Sequence, residues 1–348
     1  MVSTFFLGAC AAGGFVSHYD SLLQEGLPLT VIKGGSGCGK STFMRAIGRA
    51  AEERGLDVCY ILCSSDPDSL DGVLLPQVPI AFVDGTAPHV LEPKLCGGSM
   101  NYLNFGAFYD STAMQRNEAA ILEVQAANSA QYGYVTACLN AVAQMNAALD
   151  NATQGDYYQE EMEAIASCIA LSALREGDDW AEESRRFLSA VTPKGLTVCS
   201  GSPGALCERV YVLRDDYGLA PRLLGTLMER IRQVDCSRIL CYTPLRPEGQ
   251  PSHVLLPAAG VAVVSESADF PYTGPCFCHI DLNSTLPPKL RASLEFYLEE
   301  RRRLLCQTVQ HMAEAKRLHD RMEALCKPYV DFAAVTALTE QTIRTIFE

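Results

Sequence analysis

The tightest constraint on this chain lies in residues 29–51. Leu29-Thr30-Val31-Ile32-Lys33 is a short apolar run rich in β-branched residues, the pattern of a strand buried on both faces. It passes without a break into Gly34-Gly35-Ser36-Gly37-Cys38-Gly39-Lys40-Ser41-Thr42. Residues Phe43 to Ala51 then continue with helix-forming composition, ending near Gly55. Strand, loop and helix in that order fit G-x-x-x-x-G-K-[ST] with no mismatch. Glycines let the backbone curl until successive N–H groups point inward, where a Cβ would collide with a bound oxyanion. The helix that starts there adds its unpaired N–H groups and the positive end of its dipole. Residues 34–42 are therefore expected to hold the phosphates of a nucleoside triphosphate. Lys40 would reach the β- and γ-phosphates as a point charge, and the Ser41 hydroxyl would ligate Mg²⁺. No guanine-reading Asn-Lys-x-Asp occurs, so ATP is taken as the nucleotide by default.

A metal-holding carboxylate should close a second apolar strand, and Ile80-Ala81-Phe82-Val83-Asp84 supplies it. The residue after Asp84 is Gly85, where many motor-type ATPases carry a water-polarising Glu. The chain runs on through His89 to Glu92, and a hydrolytic base would have to come from elsewhere. A further strand is expected at 58–62, followed by Cys63-Ser64-Ser65-Asp66-Pro67-Asp68-Ser69-Leu70-Asp71-Gly72. Read as a loop at a strand end, this segment places Asp66, Asp68 and Asp71 near a terminal phosphate. There they would serve as bases toward a second substrate, or simply as turn residues. His89 is either a γ-phosphate contact or a loop histidine without a role.

The chain also repeats itself. Phe6-Leu7-Gly8-Ala9 returns as Phe187-Leu188-Ser189-Ala190, and Val73-Leu74-Leu75-Pro76 as Val254-Leu255-Leu256-Pro257. Ile80-Ala81-Phe82-Val83 returns as Val261-Ala262-Val263-Val264, always 181 residues on. The expected fold is a tandemly duplicated α/β P-loop NTPase fold, a parallel sheet flanked by helices, divided as 1–180 and 181–348. The chemistry does not repeat: Gly34 and Gly35 fall on Asp215 and Asp216, Gly39 on Ala220, Lys40 on Pro221, and Asp84 on Ser265. Two carboxylates where phosphates would lie repel them, and a proline removes both the ammonium and a backbone N–H. After each sheet the composition turns helical, over 117–150 and 157–175 in the first copy, and over 289–326 and from Asp331 in the second. Each unit then carries a helical hairpin, either completing the core or offering a lid or partner surface. The linker between the copies is expected near 177–183.

Composition narrows the partners. With 48% hydrophobic and 20% charged residues the chain reads as a folded globular protein, and its net charge of −13 disfavours nucleic acid. The one dense basic tract, Glu299-Glu300-Arg301-Arg302-Arg303, reads as a solvated helix face with local ion pairs. The 15 cysteines form no paired C-x-x-C units, and Cys276-Phe277-Cys278-His279 has the wrong spacing for a zinc knuckle. They read as reduced thiols in a cytoplasmic protein. Leu7-Gly8-Ala9-Cys10 faintly resembles a lipoprotein box, but the internal counterpart at 187–196 makes this segment part of the fold unit. No stretch approaches a membrane span.

With residues 33–41, 63–71 and Val83-Asp84-Gly85-Thr86-Ala87-Pro88-His89 in this order, the chain resembles an uncharacterised family of bacterial P-loop ATPases with duplicated architecture, mainly from Firmicutes. The resemblance covers most of the chain. It implies ATP binding and a bacterial cytosolic setting, and supplies no substrate. The leading expectation is Mg²⁺-dependent ATP hydrolysis in the first copy, with Lys40 and Asp84 central and the second copy structural or regulatory. The alternatives are a small-molecule kinase, using Asp66, Asp68 or Asp71 as base and Arg116 or another arginine over the transferring phosphate, and a non-catalytic ATP-sensing scaffold.

Overall fold

The computed structural model describes residues 1–23, 27–88, 91, 100–155, 158–173, 183–231 and 237–348. His89, Glu92, most of the expected linker and both ends of the expected 157–175 helix lie outside these residues. The first half runs β1 (Val2–Phe5), β2 (Gly8–Ala11), β3 (Gly14–Ser17), β4 (Leu29–Lys33), α1 (Lys40–Glu52), β5 (Val58–Cys63), β6 (Asp66–Leu75), β7 (Ile80–Asp84), β8 (Met100–Asn104), α2 (Ser111–Arg116), α3 (Glu118–Ala152) and α4 (Gln159–Ala173). The second runs β9 (Glu183–Phe187), β10 (Ser189–Thr192), β11 (Gly195–Val198), α5 (Gly201–Leu206), β12 (Arg209–Arg214), α6 (Ala220–Arg230), β13 (Arg238–Tyr242), β14 (His253–Leu256), β15 (Val261–Glu266), β16 (Cys278–Asp281), α7 (Pro288–Cys326) and α8 (Phe332–Phe347).

Each half builds a six-stranded mixed sheet, in the orders β1-β5-β6-β7-β4-β8 and β9-β13-β14-β15-β12-β16. These are the same order with each strand replaced by its counterpart. The side hairpin β2–β3 reappears as β10–β11 with Gly8, Ala11, Gly14 and Ser17 carried to Ser189, Thr192, Gly195 and Val198, each 181 residues on. At the join, Phe6 and its counterpart Phe187 exchange both backbone hydrogen bonds, at 2.9 and 2.8 Å. A residue paired antiparallel with its own repeat equivalent marks a local pseudo-twofold axis between the halves.

The sheets are mixed where a parallel sheet is expected from sequence. In each, one strand (β6 or β14) runs antiparallel to both neighbours, and the other five run the same way. The reason is connection length. Only Ser64 and Ser65 separate β5 from β6, and four residues separate β6 from β7, whereas a parallel crossover needs a dozen or more. The expected loop at 66–72 is accordingly the first part of a ten-residue strand.

The helical hairpins are exchanged between the halves. Helices α3 and α7 pack antiparallel, as the pairs Gln131–His311 and Asn146–Arg301 require. Helix α4, from the first half, lays Met162, Ala166, Ile169 and Ala173 on the core that holds Leu223, Leu224 and Leu227 of α6. Helix α8, from the second half, packs on α1 instead. Its Val335 joins Ile32, Phe43 and Ile47, with Leu338, Ile343 and Phe347 against the same cluster. A sequence boundary at 180/181 therefore separates α4 and α8 from the sheets they cover.

Arg301 corrects the reading of the basic tract. Arg302 and Arg303 are solvated, but Arg301 is 6% exposed and donates to Asp269 Oδ2 at 2.9 Å and to the Asp216 carbonyl at 3.1 Å. On α7 it falls on the stripe shared with Leu294, Leu298 and Leu305, facing the second sheet. A buried guanidinium needs such partners, and Asp269, itself buried, supplies the charge.

Candidate functional site

Between β4 and α1 the chain must reverse within six residues, and the glycines make this possible. Gly37 and Gly39 have φ of +76° and +95°, in the left-handed region, and Gly39 is the residue from which α1 starts. At Gly34 a Cβ would lie 2.8 Å from both Cys38 Sγ and Phe105 Cβ, so no other residue fits. The loop thus opens onto the N-terminus of a 13-residue helix whose buried face carries Phe43, Met44, Ile47 and Ala51. Phe43 stacks edge-on against Phe82 and Phe105 at 5.5 and 5.3 Å, which fixes the helix over the sheet.

Lys40, the first residue of α1, bends back over this loop. Its Nζ donates to the carbonyls of Gly34 (2.6 Å) and Gly35 (2.9 Å) and lies 3.5 Å from Asp84 Oδ2. The two side chains are 11% and 14% exposed, so their attraction is little screened by solvent. Strand β7 carries Asp84 there because it lies parallel beside β4, with Asp84 level with Ile32. Asp84 Oδ1 accepts from the Thr86 N–H at 2.8 Å, and the Thr86 hydroxyl donates to the Gly34 carbonyl at 2.9 Å. Gly85 also has a geometric explanation: a Cβ there would lie 2.2 Å from Val31 Cγ1. No side chain, glutamate included, fits after Asp84.

The Ser41 hydroxyl accepts from the Leu70 N–H at 2.9 Å, and Thr42 is exposed. Cys38 is buried and its Sγ donates to the Gly35 carbonyl at 3.1 Å; burial raises its pKa and keeps it a thiol. The Ser36 carbonyl accepts from the Tyr109 hydroxyl at 2.8 Å. The structure thus brings together Gly34, Gly35, Ser36, Gly37, Cys38, Gly39, Lys40, Ser41 and Asp84. A hydroxyl and a carboxylate are oxygen donors of the kind Mg²⁺ accepts, and that ion is usually held by one or two protein groups with water and phosphate completing the shell.

The three aspartates of β6 are differently placed. Asp66 lies 3.5 Å from Lys316 Nζ on α7 and accepts from Ser69 Oγ at 2.8 Å. Asp68 is 73% exposed and accepts from Lys194, at the tip of the β10–β11 hairpin, at 2.5 and 2.6 Å. Lys194 holds its carboxyl below the usual range. Asp71 is buried, its carbonyl accepting from the Tyr19 hydroxyl at 3.4 Å. Arg116 closes α2 on the surface. Asp66 and Asp68 therefore tie the first sheet to elements of the second half.

Several residues at the loop carry no sequence signal. A Cβ on Gly37 would lie 3.1 Å from Lys327 Cγ and 3.4 Å from Glu323 Cβ, and one on Gly39 would lie 3.3 Å from Val335. One wall of the loop thus comes from the end of α7 and the start of α8. Residues 327–331 are pinned there: Asp110 N–H donates to the Tyr329 carbonyl at 2.8 Å, and Asp331 N–H to the Phe108 carbonyl at 2.9 Å.

At the equivalent place in the second half the loop binds itself. Asp215 is buried, and its Oδ1 accepts N–H bonds from Tyr217, Gly218 and Leu219 at 3.2, 2.8 and 2.9 Å, while Oδ2 accepts from Ala220 at 2.7 Å. A side-chain carboxylate thus takes the donors at the N-terminus of α6 that an oxyanion would use. It does not confront a phosphate, as the sequence reading has it, but stands in for one. Beside it lies a cavity of about 70 Å³ lined by Asp216, Pro221, His253, Ser265 and Arg301, far below the several hundred Å³ typical of small-molecule sites. Among the described residues all cysteines are free, and no cluster of three or more His, Cys, Asp or Glu could hold a metal ion. No helix among them is long and apolar enough to cross a membrane.

Fold and site together define a duplicated α/β protein with one glycine-loop junction spanned by its own lysine and an equivalent junction closed by its own aspartate. Comparisons with protein-family models, with curated proteins and with solved structures find no match.

Proposed function

We propose that the first repeat is a P-loop nucleoside triphosphatase that binds and hydrolyses Mg·ATP, while the second repeat supports it without binding nucleotide. The observation that carries this reading is the convergence of Lys40, Asp84 and two left-handed glycines at the head of α1. In such a site Lys40 exchanges its two neutral carbonyl partners for charged phosphate oxygens, so that donor and acceptor are both ionised. The loop N–H groups and the α1 dipole would orient the triphosphate, and Ser41 and Asp84 would hold Mg²⁺, whose charge would offset that of the terminal phosphate. The hydrolytic base is not assigned, since Gly85 excludes a side chain after Asp84.

The kinase alternative needs Asp66, Asp68 or Asp71 as base; Asp66 and Asp68 are ion-paired to lysines, and Asp71 is buried. Packing of α8 on α1 supports a coupling role, in which nucleotide state shifts α7 and α8 and a protein partner reads the exposed hairpin faces. The free thiols among the described residues support a cytoplasmic setting, and the net charge of −13 disfavours nucleic acid.

The test is ATP binding and Mg²⁺-dependent phosphate release by the full chain, beside Lys40→Ala. The expected result is turnover abolished in the variant and ATP affinity reduced at least about tenfold. Equal ATP affinity in the two proteins would remove the site assignment. Lys40-dependent binding without turnover would favour the ATP-sensing scaffold.

A further inference from the structure

The second repeat does not only buttress the first; it sets a cation against the first repeat's glycine loop. Lys327 is the C-cap of α7, and its side chain lies beside Gly37, the residue of the loop with φ +76°. A Cβ on Gly37 would meet Lys327 Cγ at 3.1 Å and Cε at 3.4 Å, so the stem runs beside the loop and a side chain at position 37 would press on it. The backbone that carries it is held from both flanks. Ahead of it, Glu323 also lies against Gly37. Behind it, Tyr329 is held by Asp110 and by Asn117, whose Nδ2 donates to the Tyr329 hydroxyl at 2.9 Å, and Val335 is buried at Gly39.

The side chain as a whole is 53% exposed, and its ammonium pairs at 2.7 Å with Glu323, one turn back. Glu323 is shared with His319 Nε2 at 3.5 Å, so it keeps a partner if the ammonium leaves. Both the bond to Glu323, a carboxylate only 25% exposed, and a bond to a phosphate oxygen are charge-assisted, and a phosphate group carrying more than one negative charge over the loop competes with the single carboxylate for the ammonium. An anion over the loop would therefore draw Lys327 from Glu323. Lys40 and Lys327 would then approach the phosphates from opposite repeats.

We propose that Lys327 is a phosphate ligand contributed by the second repeat to the first, contacting the terminal phosphate of the bound nucleotide. This rests on the P-loop reading above and extends it. It also gives the repeat without a nucleotide site of its own a chemical reason to be retained.

The experiment compares ATP and ADP affinities of the full chain with those of Lys327→Gln, Lys327→Arg and Lys40→Ala, with thermal unfolding of each protein as a check on folding. The expected result is an ATP affinity about tenfold weaker in Lys327→Gln with ADP affinity changed less than about twofold, most of the loss restored by arginine, and the melting temperature unmoved. Lys40→Ala weakens both nucleotides. Equal weakening of ATP and ADP by Lys327→Gln would mark Lys327 as packing only and overturn the inference while leaving the P-loop reading intact. Unchanged affinity for both would do the same. A wild-type chain that binds neither nucleotide, or a Lys40→Ala variant that binds both normally, would remove the P-loop reading and this inference with it.

Discussion

Asp215→Ala tests the account of the second repeat most directly. In the structure one buried carboxylate accepts four backbone N–H bonds at 2.7–3.2 Å, at the N-terminus of a helix. An ordinary N-cap, satisfying one N–H, is worth about 1 kcal/mol. Four charge-assisted bonds taken at about 1 kcal/mol each would give roughly 4 kcal/mol. Water entering from the adjoining cavity can satisfy some of the freed donors, so a net loss of about 3 kcal/mol is expected. Asp215→Asn keeps one oxygen toward three of the donors but turns an amide N–H₂ toward Ala220, and should lose about half as much. Urea unfolding followed by far-UV circular dichroism measures the order wild type, Asn, Ala. A second arm uses sulfate. If Asp215 occupies a latent anion site, the Ala variant opens it, and added sulfate should raise the melting temperature of the variant more than that of wild type. A loss below about 0.5 kcal/mol, in the range of ordinary surface substitutions, would refute the idea that this carboxylate closes the site.

Three further outcomes follow from the packing and from buried histidines. Gly85→Ala forces a methyl to within 2.2 Å of Val31 Cγ1 in a central strand, and should cost about 1–3 kcal/mol in chemical denaturation. Val335→Ala removes two methyls from the cluster beneath α1, so about 2 kcal/mol should be lost. Amide exchange should rise in α1, within the first repeat, although the substitution lies in the last helix of the second. Burial lowers His253 to about 3, and burial together with Arg185 and Arg186 lowers His18 to about 4, both from 6.5. The unfolded chain therefore binds protons that the folded one refuses. Their contribution is full above about pH 6.5 and is lost as pH falls toward 4 and then 3, with a slope approaching 2.7 kcal/mol per pH unit for two protons, a rough upper value. His253→Gln should remove about half of that slope in stability measured between pH 6 and 4.5.

What the sequence determined by itself is local or periodic. The run 29–51 specifies strand, turn and helix because left-handed glycines and β-branched residues leave the backbone few alternatives. The 181-residue offset announces two units with one strand order, since equivalent apolar patterns bury equivalent faces. The long helices were legible too, α7 from an apolar stripe with Pro328 just beyond it and α3 from an alanine-rich run nearly free of glycine and proline. Tertiary structure decided everything that depends on what meets an element across space. Helix α8 could cover either sheet, and the apolar spacing of Val335, Leu338 and Phe347 fits both; the antiparallel α3–α7 pair delivers it to the first. Arg301 sits in a sequence of charges that reads as solvent-facing, and only the position of Asp269 makes it a buried ion pair. Asp215 reads as a repelling charge in sequence and is a closing cap in space, because the loop folds around it. Lys327 lies 287 residues from Lys40 along the chain, and only the exchange of helices sets it against the glycine loop. A side chain's chemistry is written in its residue type, but the partner that gives it work is chosen by the fold.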